Sequence, residues 1–348
     1  MAQQWRVGAV GFHHGHIGEQ LGFMLKRPDT ALVGVFHPEP DRMNTVCDEL
    51  GIAVELRHTD FEAFLESDPQ IVVVCSPTTE HADWVERLAE RGIHILIEKP
   101  FATTVADARR MVSAQARAGV TLVVNWPLAY YPVHRTARRL IAEGALGGIR
   151  ELHYYDGNRG PQTWLDPARD LSESDRWWFD PEAGGGALHD YLGYGATLAT
   201  WFLDGQLPLD VSATSFSPPG LAVDTHTVVT ARYDWGLATF QARWGTITNP
   251  WMEQGMPLTG FVIVGTEAAL ISTDYAPSVR VHDPEHPSGY DVPVEPWASD
   301  HTALAELLAS LATAEPVTGP ASLATSLAGQ QIVEAAVQSA ATARVVAL

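Results

Sequence analysis

At residues 7–18 the chain reads Val7-Gly8-Ala9-Val10-Gly11-Phe12-His13-His14-Gly15-His16-Ile17-Gly18, a glycine-rich turn between a β-branched run and an amphipathic stretch. Glycines in this context permit a tight bend and let backbone amides approach a pyrophosphate. Gly11, Gly15 and Gly18 are spaced two residues wider than in the G-x-G-x-x-G pattern, so we expect the loop to bulge before the helix begins. The turn predicts dinucleotide binding. The alternative is a turn that only packs a strand against a helix.

The first third of the chain alternates short β-branched runs with amphipathic stretches. The runs lie near 5–10, 31–36, 71–75, 93–97 and 121–125, and the amphipathic stretches near 16–26, 81–91 and 104–117. This alternation is typical of βαβ units, whose strands are parallel. The sequence therefore predicts an α/β domain at 1–125, a Rossmann fold with a doubly wound parallel sheet.

The pattern changes after about residue 126. Longer alternating runs at 151–155, 225–233 and 261–265 indicate an α+β domain at 126–300 with an open, mostly antiparallel sheet. The Pro-rich stretch 283–297 is interpreted as a surface loop. Segments 301–314 and 322–341 have helical spacing, so we expect C-terminal helices in 301–348 that pack back on a face of one of the sheets.

Charge and composition exclude several classes of partner. The formal net charge of -20 disfavours binding to nucleic acid or to an anionic membrane. The N-terminus has no basic region followed by a long apolar stretch, and no run of 18 apolar residues occurs. Cys47 and Cys75 form no C-x-x-C pair, so we expect reduced thiols and a cytoplasmic protein.

Three histidines, His13, His14 and His16, crowd the glycine turn. A metal site is one interpretation, but no nearby cysteine or acidic residue completes a ligand set, and the sequence predicts no metal. We expect these imidazoles to line the phosphate pocket, where a helix N-terminus favours their neutral form. Plain surface histidines are the alternative.

The second strand should end in an acidic residue that holds the adenosine ribose. His37 occupies that position, with Glu39 and Arg42 close behind it. Glu39 reaching the ribose would favour NAD, whereas His37 with Arg42 would accept the 2′-phosphate of NADP. The sequence leaves NAD or NADP open, with NAD slightly favoured.

A further motif, Glu98-Lys99-Pro100, closes the run Ile93–Ile97, and Gly184-Gly185-Gly186-Ala187-Leu188-His189-Asp190 follows in the second part. With the glycine turn and Ser76-Pro77-Thr78-Thr79-Glu80-His81, these motifs resemble the Gfo/Idh/MocA family of glucose-fructose oxidoreductases and inositol dehydrogenases. The similarity runs nearly end to end. Ala129 stands where an arginine is common in that family.

The resemblance implies hydride transfer between a nicotinamide and a secondary or anomeric hydroxyl of a sugar, cyclitol or related alcohol. It also implies that Lys99, Asp190 and Tyr194 are catalytic, with Tyr194 where histidine is more usual. The expected substrate contacts are Lys99, Trp164, His189, Asp190 and Tyr194. The expected cofactor contacts are Gly11, Phe12, His13, His14, Gly15, His16, Ile17, His37, Ser76, Pro77, Thr78, His81, Glu98, Lys99 and Asn125.

The chemistry explains why these residue types belong together. Residues four apart share one helix face, so Asp190 and Tyr194 can converge on one substrate. Removing hydride from an alcohol also requires a proton acceptor. We expect Tyr194 to transfer the proton, with its pKa lowered by Lys99, or Lys99 itself to be the base. The alternative interpretation is that Lys99 is a solvated lysine, Asp190 an acid at a helix start and Tyr194 a half-buried aromatic.

Other interpretations and sites stay open. Pro77 and Thr78 either shape the nicotinamide pocket or simply start a helix. The aromatic-rich region 158–178 is either a cover over the substrate or a packing or oligomer contact. We expect a homodimer or homotetramer. Two other functions remain: a glycosidase-like enzyme that oxidises its substrate transiently, and a non-catalytic dinucleotide-binding or sugar-binding regulator.

Overall fold

Two β-sheets organise the protein in a computed structural model that describes residues 4–158, 160, 161, 171, 173–245, 259–296 and 301–348. One sheet is built from the N-terminal third of the chain and the other from residues beyond 148. The predicted fold class is confirmed.

The first sheet has six strands, all parallel to their neighbours, in the order β3-β2-β1-β4-β5-β6. This order places the crossover between β1 and β4, where the two halves of a Rossmann fold meet. Four strands are almost wholly buried, because helices cover both faces of a parallel sheet. The strands are β1 Trp5–Val10, β2 Thr30–Phe36, β3 Arg57–His58, β4 Ile71–Val74, β5 His94–Glu98 and β6 Leu122–Asn125.

The five helices of this region are α1 Ile17–Lys26, α2 Pro40–Glu49, α3 Phe61–Leu65, α4 His81–Ala89 and α5 Val105–Ala118. Helices α2 and α3 were not predicted. Helix α2 has Pro40 in its first turn and a strongly polar composition that hides its period, whereas α3 is only five residues long and is started by the Asp60 side chain, which caps the amide of Ala63.

Among the residues that the structure describes, the second sheet has nine strands in the order β14-β13-β12-β11-β7-β10-β9-β8-β15. Its pairs are antiparallel except β7 with β10, which run parallel. The strands are β7 Ile149–Asn158, β8 Asp210–Phe216, β9 His226–Arg232, β10 Leu237–Trp244, β11 Gly260–Gly265, β12 Ala269–Thr273, β13 Ser278–His282, β14 Tyr290–Pro293 and β15 Val346–Ala347.

The remaining helices are α6 Pro132–Ala142, α7 Glu173–Arg176, α8 Ala187–Phe202, α9 Ala303–Thr313 and α10 Leu323–Thr342. Helix α8 is buried along nearly its whole length and packs on β7 and β10. It carries Asp190 and Tyr194, so the second sheet positions these two side chains.

Two expectations about the C-terminal third were wrong. The stretch 283–297 is not only a loop, because β14 lies within it and pairs with β13. The two late helices also do not share one sheet face: α9 packs against β5 and β6 of the first sheet, whereas α10 packs against α8 and β8. Apolar spacing identified both helices but could not say which surface each one covers. Within the described residues, no helix is long and apolar enough to cross a membrane.

Candidate active site

Lys99 and Asp190 form a buried ion pair, although they are 91 positions apart in the sequence. Lys99 follows β5 directly, and Asp190 lies in the first turn of α8. The second carboxylate oxygen of Asp190 accepts a hydrogen bond from Trp244 Nε1 at 2.8 Å. Both oxygens of Asp190 are therefore held, which fixes the orientation of the pair. Trp244 gave no signal in the sequence, because its neighbours along β10 carry no motif.

The glycine triplet explains how α8 reaches this position. A Cβ on Gly185 would lie 2.3 Å from the carbonyl oxygen of Trp178, and Gly186 has a φ of +102°. No larger residue fits this close approach and this backbone conformation without strain. Asp224 then holds the start of α8, since its carboxylate accepts the amide of Leu188 at 3.0 Å. The sequence analysis missed Asp224 because it lies 34 residues beyond Asp190.

Tyr194 lies one helical turn beyond Asp190 and is buried. Its ring centroid is 5.8 Å from Lys99 Nζ, and that of Tyr191 is 5.6 Å away. Burial, followed by the negative charge of Glu98, raises the pKa of Tyr194 well above its usual value. The expectation that Lys99 lowers this pKa was wrong, because the ammonium bonds to Asp190 while burial penalises a phenolate. The Tyr194 phenol therefore keeps its proton at neutral pH.

A cleft of about 360 Å³ opens beside this pair. Its walls come from both sheets and from the connection after β6. They comprise His16, Glu19, Lys99, Pro127, Leu128, Tyr130, Tyr131, Asn158, Tyr191 and Tyr194. Four tyrosines supply apolar faces with polar tips, an arrangement suited to a polyhydroxylated ring.

Glu98 is the last residue of β5, directly before Lys99, and is buried. Its carboxylate accepts hydrogen bonds from Asn125 Nδ2 and from the Lys99 amide, the latter at 3.0 Å. It also contacts His16 Nδ1 at 3.1 Å. Burial opposes ionisation of Glu98, but His16, Asn125 and Lys99 together hold its pKa below the usual value. The motif around Glu98 indicated only a cofactor contact, and its pairing with His16 was not predictable because 82 residues separate the two.

The glycine turn lies at the carboxyl ends of β1 and β4. Gly11 has a φ of +81°, and a Cβ there would lie 2.7 Å from the Ser76 amide nitrogen. Helix α1 begins at Ile17, so the turn His14–His16 precedes its free amides. His13 and His37 have ring centroids 4.8 Å apart. Burial above all lowers the pKa of each of these two imidazoles to about 4, so both are neutral at pH 7.

Several buried ring nitrogens around this turn have no hydrogen-bond partner within the described part of the chain. They are His13 Nδ1, His14 Nε2, His37 Nδ1 and His37 Nε2. An unpaired buried polar atom costs roughly 1–3 kcal/mol. Such a group of atoms indicates a surface that a polar ligand completes.

Some expected contacts lie elsewhere. The Ile17 side chain packs in the core of the first sheet, and both ring nitrogens of His81 face backbone carbonyls, those of Phe101 and Ser76. Thr78 begins a short 3₁₀ turn that leads into α4, so the helix-start interpretation holds for this segment. His189 is absent from the walls of the cleft. Trp164 lies outside the described residues.

Trp177 and Trp178 are buried and stack on each other, with ring centroids 4.0 Å apart. The Trp178 ring lies 5.3 Å from His14. Arg42 bonds to Asp175 at 2.7 Å and to the His13 carbonyl at 3.1 Å. This part of 158–178 therefore packs against the glycine turn.

A family comparison matches two successive regions of this structure. Residues 5–126 match the Gfo/Idh/MocA model described as an oxidoreductase family with an NAD-binding Rossmann fold. Residues 134–271 match the model of the Gfo/Idh/MocA C-terminal domain. The chain belongs to the Gfo/Idh/MocA family. The resemblance drawn from the sequence motifs is confirmed.

Relatives of this Gfo/Idh/MocA chain include enzymes named for different reactions. The D-xylose 1-dehydrogenase (NADP(+)) 2 of Haloferax volcanii is 31% identical over 196 residues, which cover 56% of each chain. The 2,7-anhydro-N-acetylneuraminate hydratase of Mediterraneibacter gnavus is 28% identical over 210 residues, covering 60% of this chain and 52% of that enzyme. The chain thus spans about half the length of these two relatives.

The fold is shared with solved structures of the Gfo/Idh/MocA class. An inositol dehydrogenase homologue from Azotobacter vinelandii, complexed with NAD+, superposes with a TM-score of 0.82 at 19% identity. The match covers 100% of this chain and 98% of that chain.

The residues present fit a dinucleotide in this Gfo/Idh/MocA chain. Gly11 leaves the backbone of β1 within reach of a ligand, and the free amides of α1 attract an anion. The unpaired nitrogens of His13 and His37 supply polar contacts where β2 ends. The His37 position departs from the usual carboxylate, and this departure bears on which dinucleotide is preferred.

Proposed function

We propose that this protein is an NAD(P)-dependent oxidoreductase that transfers a hydride between a nicotinamide and a CH–OH carbon of a sugar, cyclitol or related alcohol. The observation that carries the proposal is the buried Lys99–Asp190 pair beside Tyr194, at the edge of the cleft and next to the glycine turn. Membership of the family supports the same conclusion.

The dinucleotide would be held by the glycine turn, by Ser76 and Pro77 at the end of β4, and by Glu98 and Asn125 at the ends of β5 and β6. When bound, the nicotinamide supplies the hydride-accepting or hydride-donating carbon. Glu98 keeps a negative charge at this position. That charge would favour the positively charged oxidised nicotinamide over the reduced one.

The proton follows from the states of the side chains. Tyr194 stays protonated, so it donates a hydrogen bond to the reacting oxygen and stabilises the charge that develops there. In the oxidation direction the hydroxyl proton must leave as the hydride departs from the same carbon. In the proposed route the hydroxyl proton passes to Lys99 Nζ as the ammonium gives one of its protons to the Asp190 carboxylate, which Trp244 orients. In the reduction direction the same groups return the proton to the carbonyl oxygen.

The choice between NAD and NADP depends on charge around His37. Arg42, the cation that could accept a 2′-phosphate, is bonded to Asp175. Glu39 adds a second carboxylate near His37. Two acids beside one already paired arginine disfavour a phosphate, and we infer a preference for NAD.

The first test is a titration of the full chain, stripped of nucleotide, with NADH and NADPH separately. Tryptophan quenching is a suitable signal, because Trp177 and Trp178 pack against the turn. Saturable binding, tighter for NADH, is the expected result. Tighter binding of NADPH would contradict the inference about NAD alone. No binding of either nucleotide at about millimolar concentration would overturn hydride transfer.

The hydratase name of one relative favours a second candidate function. In that reaction the same residues would oxidise the substrate transiently, so no net reduced nicotinamide would accumulate. A screen of sugars and polyols distinguishes the two functions. Accumulation of NADH in proportion to product supports the dehydrogenase, whereas product formed with less than stoichiometric NAD supports transient oxidation.

An oligomer is also proposed. The face of the second sheet that points away from α8 exposes Phe216, Val228 and Leu237 on three adjacent strands. Exposed apolar side chains on an open sheet face suit contact with a second copy of the chain, in a homodimer or homotetramer. Light scattering of the purified protein measures the assembly, and a monomer would contradict it. The cytoplasmic location stays a prediction.

A further inference from the structure

His14, His16 and Glu98 converge in a way that the sequence gave no reason to expect. Each offers one ligand atom, and these three atoms lie within 4.8 Å of one another. His14 and His16 come from the glycine turn, whereas Glu98 ends β5. The expected absence of a metal rested on the lack of an acidic partner. Glu98 is such a partner, so that reason was wrong.

The separation of the ligand atoms suits a small divalent ion. Zinc binds imidazole nitrogens and carboxylate oxygens at about 2.0–2.2 Å, so ligand atoms of a tetrahedral site are roughly 3.3 Å apart. His16 Nδ1 and Glu98 Oε2 are 3.1 Å apart. The His14 ligand atom must move closer by up to about 1.5 Å to complete a set of three.

The charge balance also favours a cation. Glu98 is buried, and the Lys99 ammonium next to it is paired with Asp190. The remaining positive partner within the described residues is His16, which is charged only when it is protonated. The hydrogen bonds from Asn125 and the Lys99 amide stabilise the ionised carboxylate but carry no net charge of their own. A divalent ion would add a full positive charge beside it.

His14 supplies a second, independent observation. The residue is 4% exposed, and its Nε2 is buried without a hydrogen-bond partner in the described part of the chain. Its Nδ1 accepts the amide of His16 at 3.2 Å. Nε2 is therefore the nitrogen left for a metal, and coordination there would place the imidazole proton on Nδ1 in exchange for the amide contact.

We propose that His14, His16 and Glu98 form a binding site for a divalent transition metal of the zinc type, with an oxygen ligand from the cleft completing the coordination. His16 is a wall residue of the cleft that also contains Lys99 and Tyr194. Three protein ligands leave one position open, as in catalytic rather than structural zinc sites. Water or a substrate hydroxyl would occupy it. The site shares Glu98 with the proposed dinucleotide site, but it needs no nucleotide to form.

The test uses Co2+ as a spectroscopic substitute for Zn2+, added to the full chain stripped of metal and nucleotide. We expect one Co2+ per chain, with visible absorption typical of four-coordinate nitrogen and oxygen ligands, and displacement by Zn2+. H16A and E98Q should each weaken binding by about 100-fold or more, since loss of an outer-shell partner alone costs 10–100-fold.

The matched control is H13A, which removes the neighbouring histidine of the same turn but leaves the three ligands intact. It should bind Co2+ as the wild type does. Because E98Q changes a buried group, near-ultraviolet circular dichroism must show that each variant is folded, and H16A serves as the variant with a partly exposed side chain, 31% accessible. Absence of the Co2+ spectrum in the wild type, or an unchanged spectrum in folded H16A, would overturn the proposal.

Discussion

The Lys99 wall, which consists of Lys99, Asp190 and Trp244, differs sharply from the histidine turn formed by residues 11–16 with His37. In the wall, the ammonium, both carboxylate oxygens and the indole nitrogen are bonded to one another. In the turn, four buried ring nitrogens have no partner within the described residues. Both regions lie at the carboxyl edge of the first sheet.

The difference is one between groups arranged to take part in a reaction and a surface arranged to bind a ligand. A fully paired wall is rigid and needs no ligand to hold its geometry, which is what preorganised catalysis requires. An unpaired turn has an energetic cost that a ligand removes. The proposed function thus assigns ligand binding to the unpaired turn and the reacting groups to the paired wall.

The largest expected effect concerns the wall. Replacing Lys99 with Met removes the cation that pairs with Asp190 and the group that relays the substrate proton to that carboxylate. The kcat should fall about 10³-fold or more, in the range of lost acid–base catalysis, while NADH still binds. The chain contains one other lysine, Lys26, which is exposed at the end of α1. The matched variant K26M should retain full activity, and an active K99M would show that the wall is not catalytic.

A variant of Tyr194 tests whether this tyrosine, which lies beside the Lys99 wall, acts as a hydrogen-bond donor or as a base. Y194F removes the phenol and should lower kcat roughly 10²-fold, as expected for one lost donor to a developing oxyanion. Because the pKa of Tyr194 is raised well above its usual value, the wild-type profile of kcat against pH should show no rise from tyrosine ionisation between pH 6 and about 9. A rise that disappears in Y194F would show that Tyr194 is the base. Y290F, at an exposed tyrosine of β14, is the control.

A variant of His37 tests whether the histidine turn binds the adenosine ribose. H37D restores the carboxylate that normally holds the ribose hydroxyls and would repel a 2′-phosphate. The ratio of the NADPH to NADH dissociation constants should increase about tenfold, roughly 1.4 kcal/mol. Binding titrations with both nucleotides measure it. An unchanged ratio would place the adenosine ribose away from His37.

Asp156 lies near the paired wall but is itself incompletely paired. Its replacement is expected to have the smallest effect of the variants considered. Its Oδ2 is buried without a partner in the described part of the chain, and burial raises its pKa from 3.8 to about 8. Because the folded state holds this proton more tightly than the unfolded state, stability is lost as pH rises from about 3.8 and the loss is complete above about 8. Between pH 6 and 8 the wild type should lose roughly 1–2 kcal/mol relative to D156N.

Urea unfolding of both proteins at several pH values measures this difference. The comparison uses the change with pH rather than the absolute stability, because the introduced amide has its own cost when buried. Parallel pH dependence of D156N and the wild type would mean that Asp156 does not hold its proton in the folded state.

Local pattern predicted the elements of the first sheet well. The runs that end at Val10, Phe36 and Ile97 are β-branched and bounded by turn residues, so their strands and order of occurrence follow from short-range chemistry. Helix α2 was not predicted because its polar residues mask the helical period of its apolar residues. The packing of α9 and α10 on two different surfaces was not predicted because apolar spacing does not specify a partner.

The candidate site divides in the same way. Lys99, Asp190 and Tyr194 were identified from motifs, and the structure brings them together. The pKa direction of Tyr194 was not predictable, since it depends on burial and on the charge of Glu98. Trp244, Asp224 and Asp156 carry no motif and become relevant only through the second sheet.

The sequence by itself determined five strands of the first sheet, three of the second, about half of the helices, the family and the motif residues Lys99, Asp190 and Tyr194. Propensity, turn glycines and short motifs act over a few neighbouring positions, so these features are local. The tertiary structure alone decided which charges pair. It joined Lys99 to Asp190 across 91 positions and Glu98 to His16 across 82. Burial and Coulomb interactions depend on distances in space, and those distances exist only after both sheets have formed.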